Sequence, residues 1–252
     1  MTHLVGFTEE NWHATRLRSQ ADALGLRLEP CLECMPDLSV PNVLIGAPSL
    51  AKLKASLNKP SHGFIEWNDH DGADLSRACV ECATAGGQCL SLNTKMAYEW
   101  DATNLFASAL EARFPHLGDI MGDIELALAE AVANAVVHGN LGIESTLRND
   151  VKGFVLFQAA LLERLDNPVL CRRRIEITAE PFDSACVRIE VQDFGDGYDL
   201  AALPKEAVTA LAKSGRGLGL IRQLTATMGV SDSGRRLTMT FNADKAPKFA
   251  RQ

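Results

Sequence analysis

Short apolar runs alternate with longer helical patterns along the first ninety residues. "HLVGF" (3–7), "LRLEPCLE" (26–33), "NVLIGA" (42–47), "GFIEW" (63–67) and "QCLSL" (88–92) read as strands. Helical spacing runs through 8–26, 49–58 and 71–85. Thr8 and Glu10 stand in the first turn of the first helix, and Gly86 with Gly87 stops the last. A strand–helix–strand rhythm predicts a parallel sheet covered on both faces.

The second half has another rhythm. No clear period runs through "NTKMAYEWDA" (93–102), which therefore reads as a linker. Helices are predicted at 103–113 and 119–138, with a further one near 151–165. Strands follow at 173–180, 185–193 and 236–242. In the second of these, Val187, Ile189 and Val191 alternate with Arg188, Glu190 and Gln192, the pattern of a sheet with one buried face. Leu218, Ile221, Leu224 and Met228 put a helix at about 217–228. The sum is an α+β sandwich, with helices on one face of a mixed, largely antiparallel sheet. The expected division is a smaller α/β domain at 1–92, a linker at 93–102, the sandwich at 103–245 and a tail at 246–252.

At 252 residues the chain can hold two modest domains, and its 46% apolar and 23% charged content is ordinary for a globular protein. A net charge of −7 weighs against nucleic-acid or anionic-membrane partners, which need basic patches. The start lacks a basic region followed by a long apolar core, and no apolar run reaches bilayer length, so a cytoplasmic location is expected. Cys31 and Cys34 form one CxxC pair and Cys79 with Cys82 a second. Together they could make a four-thiolate zinc site. The long gap and the amphipathic setting of the second pair favour buried thiols instead.

The chemistry lies in three motifs. "ELALAEAVANAVVHGN" (125–140) is rich in Ala, Leu and Val, yet Glu130, Asn134 and His138 recur at steps of four along one face. "DFGDG", Asp193 to Gly197, ends a strand. "SGRGLGL", Ser214 to Leu220, leads into a helix. Each alone has a bland reading: a solvated helix face, a turn, and a structural helix start. Together they suit a nucleotide site. Asn134 offers a neutral oxygen ligand for Mg²⁺, and Glu130 one turn earlier can reach a hydroxyl or water attacking a γ-phosphate. Asp193 can accept a hydrogen bond from the exocyclic amine of adenine. Gly195 and Gly197 allow close backbone approach. Gly215, Gly217 and Gly219 expose N–H groups at a helix start to phosphate oxygens, and Arg216 adds a charge there.

These motifs, in this order, resemble the ATPase domain of the Bergerat superfamily of gyrases, chaperones, histidine kinases and MutL. Glu130–Asn140 resembles its N box, Asp193–Gly197 its G1 box and Gly215–Gly219 its G2 box, across residues 100–243. Within the superfamily, "EAVANAVVHGN" is similar to the anti-sigma-factor serine kinases. The resemblance implies ATP and Mg²⁺ as cofactors, Glu130 as catalytic base, Asn134 as Mg²⁺ ligand and Asp193 as adenine reader. It makes 198–214 an ATP lid, with Lys213 or Arg216 on the phosphates. It also implies a serine/threonine kinase acting on a small anti-sigma-antagonist-type partner, sequestration of a sigma factor or similar regulator, and a homodimer. His138 either touches the site or closes the helix end. The layout of 1–92 resembles a receiver domain, but "NVLIGAPS" offers Gly46, Ala47 and Ser49 where a receiver carries its phosphoacceptor aspartate. Glu9, Glu10 and Lys95 are a partial echo of the same pattern, and phosphorylation-driven switching is not expected.

Other functions compete. A histidine kinase needs a helical hairpin with a phosphoacceptor histidine before the ATPase domain, whereas the preceding residues read as α/β, with His62 and His70 near loops. A non-catalytic module would use nucleotide to set partner choice, but Glu130 is intact. A gyrase- or MutL-like machine would need a transducer domain larger than the remaining C-terminus.

Overall fold

The computed structural model describes residues 4–8, 13–31, 40–70, 72–144, 151–197 and 216–245. Five parallel strands come first: β1 (Val5–Thr8), β2 (Arg27–Pro30), β3 (Asn42–Gly46), β4 (Gly63–Glu66) and β5 (Gln88–Asn93). Their order is 2-1-3-4-5, a doubly wound arrangement. Helices α1 (Thr15–Ala23), α2 (Leu50–Leu57) and α3 (Arg77–Thr84) cross between them. Ser49 and Ser76 start the last two by accepting from Lys52 N and Cys79 N, each satisfying an orphan helix donor.

The parallel half does not end in a free edge. β5 pairs antiparallel with β6 (Arg174–Pro181), from Gln88 opposite Ala179 to Asn93 opposite Arg174. β7 (Cys186–Asp193), β9 (Arg236–Asn242) and β8 (Thr227–Ser231) complete one sheet among the described residues, in the order β2-β1-β3-β4-β5-β6-β7-β9-β8. The segment 93–102, expected as a linker, is instead α4 (Thr94–Glu99) leading to α5 (Ala102–Arg113). Asn93 caps α4 through Met96 N, and Thr94, Ala97 and Ala102 are buried. A six-residue helix is too short to show a period, which is why the segment looked patternless.

A 3₁₀ turn (Pro115–Ile120) introduces α6 (Met121–Asn134), which opens into a π-helical turn, Ala135–Asn140. After it come α7 (Val151–Leu165), α8 (Pro168–Cys171) and α9 (Arg216–Leu224). The helix expected at 217–228 is shorter than predicted. Thr225 donates from both N and Oγ1 to Ile221 O, Ala226 N turns to Thr240 O, and Thr227–Ser231 becomes β8. Met228, which continued the helical spacing, thus belongs to a strand. Left-handed backbone at Asp232, Ser233 and Gly234 closes the β8–β9 hairpin.

One core packs α5 and α6 against the sheet, and it takes Leu53, Phe64, Leu90 and Leu92 from the parallel half. A second core on the opposite face holds Leu17, Ile45, Ile65, Trp67, Cys79, Cys82 and Cys89. Cys82 Sγ donates to Gln88 O at 3.3 Å, and burial pushes its thiol up, as for a small apolar side chain. Cys31 is half-buried, and Cys34 lies outside the described residues.

Because the two halves share a sheet and a core, they should unfold together. Phe64→Ala, at a fully buried site of the shared core, is expected to lower stability by about 3–5 kcal/mol while tryptophan fluorescence and far-UV circular dichroism keep one common transition. Two separated transitions in the wild type would contradict the shared core.

Candidate functional site

The first motif sits on α6. Glu130 and Asn134, one turn apart and half-buried, look out from a helix whose other face, with Leu128, Ala131 and Val132, is core. The helix then widens: Leu141 N reaches Val136 O and Ile143 N reaches Val137 O, both at 2.9 Å. Such π-turns occur frequently at functional sites. His138 Nδ1 lies 2.5 Å from Ile143 O, so the ring is engaged in closing this turn.

The third motif meets the first. Gly217, in the opening turn of α9, faces the Glu130–Asn134 ridge so closely that a Cβ there would stand 2.6 Å from Glu130 Oε2 and 3.1 Å from Asn134 Nδ2. The fully buried Ile221 anchors α9 one turn later. A helix start, a carboxylate and a carboxamide therefore converge on one point. Gly219 has open space where a Cβ would be. Arg216 begins α9, but its side chain, together with Lys213, Gly215 and the expected lid at 198–214, falls outside the described residues.

The second motif ends β7. Asp193 N donates to Arg235 O of the neighbouring hairpin, and the side chain is 7% exposed. A Cβ on Gly139 would stand 2.4 Å from Asp193 Cγ, and one on Gly195 only 2.1 Å from Gly139 O. These glycines permit contact between two pieces of the protein's own backbone. Gly197 has φ +67°, and a Cβ there would meet Ser233 O at 2.7 Å. The close approach expected of Gly195 and Gly197 is thus first a packing requirement of the loop itself. Gly195 N donates to Asp193 Oδ1 at 2.9 Å. Burial raises the Asp193 carboxyl to about 6, against the opposing pull of that N–H and of the Arg235 and Arg173 charges.

Two residues carry more of the site than the motifs suggested. Asn140 is completely buried, accepting from Phe194 N at 2.8 Å and donating to Thr94 Oγ1 and Arg174 O, each at 2.8 Å. Arg173 bonds Asn140 O and Asp196 Oδ1, both at 2.9 Å. Asn140 closed the quoted motif as an apparent helix end. Arg173 lay in the basic run before β6, where nothing singled it out.

The donor set fits Mg·ATP. Asn134 offers one neutral oxygen, which suits an ion that keeps most of its waters and binds phosphate oxygens. The start of α9 supplies backbone N–H groups, and Asp193 supplies a buried acceptor for an amine. The family model for the histidine kinase-like ATPase domain matches residues 97–241. The chain belongs to the histidine kinase-like ATPase family, and ATP binding is a property of that domain. Among curated proteins, the comparison found no match.

Two outcomes follow for nucleotide binding. Gly217→Ala crowds Glu130 and Asn134 and should weaken ATP at least tenfold, with the thermal midpoint of the free protein changed by less than about 1 kcal/mol equivalent; calorimetry with and without nucleotide separates the effects. Asp193, raised above its ordinary 3.8, favours the fold fully below pH 3.8 and loses that contribution as pH rises through about 6. Binding has the opposite sense, because only the carboxylate presents two acceptor oxygens. ADP affinity should fall as pH drops below about 6, approaching tenfold per unit. In Asp193→Asn this component should vanish, leaving the titration of the nucleotide phosphates as the baseline.

Proposed function

We propose that this is a cytoplasmic, Mg·ATP-dependent serine/threonine protein kinase that phosphorylates a small partner protein of the anti-sigma-antagonist type in a partner-switching pathway. The observation that carries this reading is the convergence of the Glu130 carboxylate and the Asn134 carboxamide on Gly217 at the start of α9. Glu130 accepts the proton of a substrate hydroxyl as its oxygen attacks the γ-phosphorus and the bond to the ADP oxygen breaks. Asn134 would hold Mg²⁺, which when bound would neutralise charge on the phosphates. Asp193 reads the adenine amine. The glycines at 215, 217 and 219, with Lys213 or Arg216, complete the phosphate contacts.

A serine or threonine acceptor is favoured over histidine by what precedes the ATPase domain. The described residues of 4–93 form an α/β half-sheet continuous with the rest, and His62 is half-buried with Nδ1 2.6 Å from Gly87 O. The 2-1-3-4-5 strand order supports a receiver-like ancestry for this half, used here for interaction. A homodimer, a regulated sigma factor and the absence of nucleic-acid and membrane partners belong to the same proposal, the last resting on the −7 net charge.

The test is phosphate transfer from γ-labelled ATP to a candidate antagonist protein bearing an exposed serine. Glu130→Ala should bind ATP within about threefold of wild type and lose at least 10²-fold in transfer. Asp193→Asn should lose binding itself, by about tenfold or more. Equal loss of binding in both would break the assignment of roles. Nucleotide-dependent capture of the antagonist without transfer would make the protein a nucleotide-gated binding module instead.

A further inference from the structure

We infer that the parallel N-terminal half positions the base-reading loop of the nucleotide site, with Asn140 as the positioning residue and Glu66 as its anchor. The inference rests on the nucleotide reading of Asp193 and extends it to residues outside the three motifs.

The connection is a continuous chain of polar contacts with a buried centre at Glu66, Thr94, Asn140 and Arg174. Glu66 ends β4 and is 4% exposed. Its Oε2 accepts from Asn93 N and its Oε1 from Asn93 Nδ2, both at 2.7 Å. Arg174 Nη1 lies 3.1 Å from the same Oε2, an ion pair by proximity without the alignment of a hydrogen bond. Asn93 and Arg174 face each other across β5 and β6, so one carboxylate clamps the seam where the parallel half meets the antiparallel half.

From that seam the chain runs to the site. Thr94 follows Asn93 and donates from N at 2.9 Å and Oγ1 at 2.8 Å to Arg173 O. Thr94 Oγ1 and Arg174 O are the two acceptors that take both protons of the Asn140 amide. This fixes which way the carboxamide points, leaving Oδ1 to receive Phe194 N, the residue after Asp193. Asn140 therefore reads the position of the seam with its nitrogen and transmits it to the base-reading loop with its oxygen. Glu66, Thr94, Asn140 and Arg174 are removed from water, so an unmatched group among them cannot turn to solvent for a replacement partner. Glu66 also stands at the carboxyl end of a parallel strand, the edge at which doubly wound sheets receive ligands. A displacement there has a direct covalent and hydrogen-bonded route to Asp193.

The experiment measures ADP and GDP affinities of the full chain by calorimetry in wild type, Glu66→Gln, Asn140→Ser and each of these combined with Asp193→Asn. Asn140→Ser and Glu66→Gln should each weaken ADP by about tenfold and shrink the preference for ADP over GDP, which a merely structural role would leave unchanged. In the Asp193→Asn background both effects should disappear, because they act through that carboxylate. If Asn140→Ser fails to fold, the near-isosteric Glu66→Gln carries the test. Unchanged ADP affinity and selectivity in Glu66→Gln, or an equal loss in the Asp193→Asn background, would overturn the inference alone. A wild type that binds no nucleotide would overturn the nucleotide reading and this inference with it.

Discussion

The site depends on a contact with no room for a side chain. Where the π-turn after α6 passes the end of β7, the Cα hydrogens of Gly139 and Gly195 face the Asp193 carboxylate and the Gly139 carbonyl at separations no Cβ could occupy. That approach buries the carboxylate and so raises it to about 6. It also brings Phe194 N to the Asn140 oxygen. The π-turn carries both Gly139 and Asn140, which face the loop together.

The same contact places the Glu130–Asn134 ridge and the Asp193 loop in one frame. α6 presents Glu130 and Asn134 to the start of α9, and its continuation holds the Asp193 loop. A single helix with its terminal turn therefore sets the distance between the Gly217 contact and the Asp193 loop. Behind it lies one sheet among the described residues, because β5 is parallel to β4 on one side and antiparallel to β6 on the other. With both its edges paired, β5 joins the halves through backbone bonds as well as through the shared core.

Much of this was legible in the residues, and the failures have physical causes. The Glu130–Asn134 ridge, the strand-end Asp193 and the glycine-rich start of α9 were readable because special chemistry interrupts a regular period there. The parallel strands showed as short apolar runs and β7 as alternation, whereas β8 began inside an expected helix. The seam was not readable, since α4 is too short to show a helical repeat and a strand pairing across 93–174 leaves no local signal. Met228 misled because its spacing continued α9, while the turn of Asp232, Ser233 and Gly234 that makes it a strand residue lies beyond it. Asn140 was visible but unassigned: its partners, Thr94, Arg174 and Phe194, come from three separate stretches of chain.

The most direct test of a Mg·ATP site is the thermal unfolding of the wild-type chain with ATP, with and without Mg²⁺. A ligand that binds only the folded state at about 100 times its Kd adds roughly 2.7 kcal/mol. A stabilisation of that order that requires Mg²⁺ is expected. An unfolding midpoint unmoved by millimolar Mg·ATP would contradict it.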